Sequence, residues 1–92
     1  MRVDISTFGT SLVSRPLGRE AALALMANVL RAIPLEEMVE LDFGKVLVLT
    51  PSWTDEFLRT LREQYSRRLK ILPSDNSSVR LTLETIGEEM EK

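Results

Sequence analysis

The sequence predicts a small α/β domain: a mostly parallel or mixed sheet of about four strands with three helices, in the order β(β)αβαβα. Two observations carry that prediction. Long stretches with apolar residues at helical spacing fill residues 16–33 and 52–68, and short apolar or alternating runs stand before, between and after them. A chain of 92 residues makes one domain over residues 1–92, enough to bury about 60–65% of its unfolded surface.

The first strand is "RVDIS", where Val3 and Ile5 alternate with charged or small residues. "TFGTSLVSRPLG" follows and is rich in turn residues. Gly9 is suited to a positive φ there, and Leu12 with Val13 suggests a second short strand pairing with the first. Ser14 is the expected N-cap of the first helix, with Pro16 tolerated in its first turn. Ala22, Leu25, Met26, Val29, Leu30 and Ile33 share one face of that helix, and Pro34 is expected to stop it. Gly18 costs helix propensity near the start, which suggests a close approach of another element.

Met38, Val39, Leu41 and Phe43 suit a central strand, followed by a turn or bulge at Gly44 and Lys45. The contiguous run Val46 to Leu49 reads either as a strand buried on both faces or as a loop folding apolar residues under the sheet. In the second helix Trp53, Phe57, Leu58, Leu61 and Tyr65 form one stripe, with Asp55 and Glu56 early and Arg67 and Arg68 late, as the helix dipole favours. "LKIL" at 69–72 is a short strand ended by Pro73. The last segment reads as a helix capped by Asp75, Asn76 or Ser77, with an edge strand at 79–84 as the other reading. Residues 88–92 are polar and expected to be unanchored.

The composition excludes much chemistry. With no histidine and no cysteine, the usual general base, thiolate nucleophiles and disulfides are all missing. A zinc ion would have to be held by carboxylates alone, so no metal and no cofactor is expected. A net charge of −2 offers nucleic acid little attraction, and the cluster Arg67, Arg68, Lys70 reads more simply as a helix C-terminus than as a phosphate site. No apolar stretch approaches the ~20 residues that cross a bilayer, and "MRVDISTFG" lacks a signal peptide's apolar region, so a cytoplasmic location without membrane contact is expected.

The candidate site is the turn in "VLVLTPSWTDEFL". Two helix starts compete there: Thr50 as N-cap with Pro51 as first helical residue, or Ser52 as N-cap with Asp55 completing an S-x-x-D box. The first is preferred because the residue before a proline is pushed to the extended angles an N-cap needs. It leaves the Ser52 hydroxyl free and exposed. Neither a glycine-rich elbow nor a partner base accompanies Ser52, so catalysis is not expected.

"VELDFGKVLVLTPSW" resembles the signature of the STAS domain of anti-sigma-factor antagonists: a strand ending in Asp42, a short apolar segment, then Thr50, Pro51 and Ser52 before an amphipathic helix. With "FGTSLVSR" and "ILPSDN", nearly the whole chain is similar to small STAS-like domains of bacteria and archaea. Thr50 stands where that family usually has Asp, Pro51 sits before the Ser, and Trp53 stands where the family has Gly. The resemblance implies a non-catalytic module that binds a histidine-kinase-type ATPase and is phosphorylated by it at Ser52. Its contact surface would comprise Thr50, Pro51, Ser52, Trp53, Asp55 and Glu56. Trp53 reads as a core residue or as an exposed interface anchor. Asp55 and Glu56 would add to a negative patch beside a phosphate. Asp42 reads as a turn-capping residue or as support for the site, and Arg15 as a solvated charge or part of a ligand site. A small-ligand or nucleotide-binding module, and a structural subunit dimerising through an exposed strand such as "LKIL" or the N-terminal edge, remain as other readings.

Overall fold

The computed structural model describes residues 1–91. The chain is α/β. Strands β1 (Arg2–Asp4), β3 (Val39–Asp42) and β5 (Leu69–Ile71) form a parallel sheet in the order β1-β3-β5. Strands β2 (Ser11–Leu12) and β4 (Val48–Leu49) form a separate parallel pair. Helix α1 (Arg15–Asn28) links β2 to β3 by way of a 3-10 turn, α2 (Pro51–Tyr65) links β4 to β5, and α3 (Ser77–Thr85) follows β5. A single core joins Val3, Leu41 and Ile71 of the sheet to Leu25, Phe57, Leu61 and Leu83 of the helices. No helix among the described residues is long and apolar enough to cross a membrane.

Local chemistry turns the chain after β1. Asp4 accepts from the Ser6 amide at 2.9 Å and the Ser6 hydroxyl at 2.7 Å, starting a 3-10 turn that ends at Gly9 with φ of 121°. The Ser6 hydroxyl, then the Ser6 amide, then the Lys45 ammonium hold the Asp4 carboxyl below its usual range. The turn carries β2 away from β1, so β2 pairs with β4 instead of forming the expected pair with the first strand.

Helix α1 ends at Asn28, five residues before the expected stop. Val29 leaves helical geometry (φ −127°, ψ −59°), a 3-10 turn spans Leu30–Ala32, and Ile33 is extended ahead of Pro34. Proline therefore fixes Ile33 without itself ending α1. The apolar run 46–49 is not buried on both faces: Val46 and Leu49 are in the core, while Leu47 is 67% and Val48 45% exposed.

Helix α3 explains how so short a strand as β4 holds its place. Its polar side chains take the role of a missing neighbour strand. The Leu49 amide donates to Ser78 Oγ at 3.0 Å, Thr82 Oγ1 donates to the Leu49 carbonyl at 2.7 Å, and Asn76 Nδ2 donates to the carbonyls of Val46 and Leu47. Asn76 also caps α3 by accepting from the Val79 amide at 3.0 Å, so residues 79–84 are helix and not an edge strand.

Residues 88–91 are anchored, contrary to expectation; Lys92 lies outside the described residues. Glu88 pairs with Arg62, and the Glu91 amide donates to the Ile71 carbonyl at 2.6 Å. In the basic cluster, Arg68 lies 4.9 Å from the Tyr65 ring centroid and donates to the carbonyls of Pro34 and Glu37. It is a structural tie.

Candidate functional site

Strands β2 and β4 lie side by side, point the same way, and each runs almost directly into a helix. The Thr50 amide donates to the Leu12 carbonyl at 3.1 Å, in register with the pairs Ser11–Val48 and Leu12–Leu49. Ser14 caps α1 by accepting from the Leu17 amide at 3.4 Å, and Thr50 caps α2 by accepting from the Trp53 amide at 3.5 Å. Both bonds are long. The Thr50 hydroxyl does more: it donates to the Val13 carbonyl at 3.0 Å, tying the two helix starts together.

Gly18 shows how close the helices come. A Cβ at that position would sit 2.3 Å from the Trp53 carbonyl oxygen, so backbone touches backbone where α1 and α2 begin. Of the two helix-start frames, the structure has Thr50 as N-cap and Pro51 as first residue.

Pro51 and Ser52 are exposed, and the Ser52 hydroxyl has no hydrogen-bond partner among the described residues. Thr50 and Thr54 flank it differently. The first is tied across to Val13. The second is fully buried, with its Oγ1 unpartnered among the described residues.

Trp53 does not serve as an exposed anchor. Position 53 heads the apolar stripe of α2, so its ring points inward, 1% exposed, stacked on Phe57 at 4.7 Å between centroids and flanked by Phe8. Apolar surface near the turn comes from other residues: Val13 is 50% and Leu17 56% exposed, and Val48 lies two residues before Thr50. Val13 and Leu17 line a groove of about 320 Å³ together with Leu12, Ala21 and Phe8, with Trp53 also in its lining.

The expected negative patch is neutralised. Asp55 and Glu56 both lie within 3.3 Å of one Arg15 Nη1, Arg59 Nη2 is 2.8 Å from Asp55, and Arg19 lies 3.9 Å from Glu56. Three guanidiniums against two carboxylates leave the cluster with net positive charge. Arg59 was legible as the i+4 and i+3 partner of the two acids. The contributions of Arg15 and Arg19 depend on the contact between α1 and α2, which spacing alone does not reveal. Arg15 is therefore not a free solvated charge. It is an interhelix tie.

Asp42 caps the next turn, accepting from the Gly44 amide at 2.8 Å, and pairs with Arg2 at 3.4 Å. Neither interaction reaches the α2 turn. Val13 and Val48 were missed as surface residues because apolar runs read as core. Their signal was the two-residue period of short strands, which turns Val13 and Val48 outward beside inward Leu12 and Leu49.

Comparison with protein-family models, with curated proteins and with solved structures gives no match to this chain. The likeness to STAS-like domains rests on the residues quoted above.

Proposed function

We propose that this protein is a non-catalytic interaction module that binds a histidine-kinase-type ATPase through the surface around the start of α2. The single observation that supports this reading best is the free, exposed Ser52 hydroxyl beside outward-facing Val13, Leu17 and Val48. Contact falls on Pro51, Ser52 and that apolar rim, while Thr50 and Trp53 support it from beneath.

Phosphorylation of Ser52 is the proposed switch. A phosphate adds about −1.5 to −2 charges. Thr50 already satisfies the Trp53 amide, and its carbonyl accepts from the Thr54 amide at 3.2 Å, so the added group leaves the cap intact. Arg15, Arg19 and Arg59 temper its repulsion with Asp55 and Glu56. A partner pressed on the turn would have to desolvate the new charge, which costs several kcal/mol unless it supplies cations. Binding is lost and the fold is kept.

The test is co-elution with such an ATPase on size exclusion, comparing wild type with Ser52→Ala and Ser52→Asp. Wild type and the alanine variant are expected to shift together and the aspartate variant to elute alone. Equal shifts for wild type and the aspartate variant count against the switch.

A further inference from the structure

Two of the four outer strand edges are closed by other parts of the chain. At β5 the Ile71 carbonyl accepts from the Glu91 amide, and at β4 the Leu49 amide and carbonyl are taken by Ser78 and Thr82. The edge of β1 is open. The Glu40 amide donates to the Met1 carbonyl at 2.8 Å, and the register Arg2–Glu40, Val3–Leu41, Asp4–Asp42 turns the peptide groups of Val3 toward β3. By alternation, the amide and carbonyl of Arg2 and the amide of Asp4 point outward, while the Asp4 carbonyl opens the 3-10 turn Ile5–Phe8. The fourth edge, at β2, presents only the peptide groups of Ser11 in this way.

We infer that β1 is a homodimerisation edge, pairing antiparallel with β1 of a second copy about a two-fold axis through Val3. In that register Arg2 faces the partner's Asp4 and Asp4 faces the partner's Arg2. In each pair the Asp4 amide donates to the facing Arg2 carbonyl, giving two hydrogen bonds across the axis. The two neighbouring registers set Arg2 against Arg2 or Asp4 against Asp4. Like charges directly opposite are unfavourable and opposite charges favourable, so the sequence Arg-Val-Asp selects the central register and selects itself as partner.

The surface beside this edge fits the same occupant. A groove of about 330 Å³ runs between β1 and α1, lined by Val3, Phe8, Ala24, Leu25 and Val29 among others. The neighbouring exposed positions of α1, Leu23, Ala24, Ala27 and Asn28, carry no charge. A two-fold axis normal to the sheet brings this helix face toward its own copy, adding apolar area to the short strand pairing. The edge shares no residue with the α2 turn, and the inference does not depend on the ATPase-binding reading.

The experiment is sedimentation equilibrium on the full chain from about 1 μM to about 1 mM. The wild-type mass is expected to rise from monomer to dimer. Arg2→Asp, at an exposed position, should weaken the dimer about tenfold or more by opposing two aspartates at each pair. The double variant Arg2→Asp with Asp4→Arg should restore the dimer, because the pairs are reversed but intact. Far-UV circular dichroism at the lowest concentration checks that each variant is folded; Arg2→Asp carries the test if loss of the Asp4 cap unfolds the double variant. A monomeric wild type over the whole range, or an Arg2→Asp dimer as tight as wild type, overturns the inference.

Discussion

The two strand-to-helix turns, Ser14-Arg15-Pro16 and Thr50-Pro51-Ser52, each combine a hydroxyl cap with a proline in the first turn, and the order decides what each can do. At α1 proline is the second helical residue and Ser14 caps only its own helix. At α2 proline is the first, so the serine falls one position inside the helix with its hydroxyl unclaimed, and capping passes to Thr50. The threonine hydroxyl also crosses to Val13. One turn is a local stop; the other joins two helices and leaves a serine free. Where the serine falls relative to the helix start separates a structural cap from a presentable side chain.

The largest expected effect comes from the contact that sets the turns side by side. Gly18→Ala should destabilise the protein by about 3 kcal/mol, because the new methyl group meets Trp53 backbone that cannot rotate away. Urea denaturation measures it; a loss under about 1 kcal/mol would mean that the helices separate easily and the turns are independent. Next comes the comparison itself. Thr50→Ala should cost about 1.5–2 kcal/mol, since it removes both a cap and the link to Val13, whereas Ser14→Ala should cost about 0.5–1 kcal/mol. Equal losses in thermal unfolding would show that the link contributes nothing.

Thr54→Val should act with the opposite sign. Its buried hydroxyl has no partner among the described residues, and a methyl of similar size removes that penalty, for a gain of about 1 kcal/mol by chemical denaturation. Destabilisation would show that the hydroxyl is satisfied after all. The smallest effect belongs to Ser52→Ala, within about 0.5 kcal/mol of wild type, as expected of an exposed hydroxyl without a partner. A larger loss in midpoint would make Ser52 a structural residue.

Much of the fold was legible because its signals are local. Ser14 and Thr50 as caps, the stripe from Trp53 to Tyr65, and Gly18 as a point of close approach follow from spacing and from the chemistry of neighbouring residues. The failures are of another kind. Pairing of β2 with β4, the service of Ser78 and Thr82 to the edge of β4, and neutralisation of Asp55 and Glu56 by Arg15 and Arg19 join residues far apart in sequence. No periodicity encodes them. Within the site, exposure of Ser52 followed from the helix frame, but Trp53 was ambiguous because a large aromatic heads both buried stripes and interfaces. Its fate was set by Phe8 and Phe57 closing over it.

Amide hydrogen exchange tests the proposed surface most directly, comparing the chain alone with the chain bound to a histidine-kinase-type ATPase. Protection should appear at residues 13–17 and 48–52, where the Ser52 amide heads α2. Protection confined to other segments, with those residues exchanging as fast as in the free chain, would contradict the account.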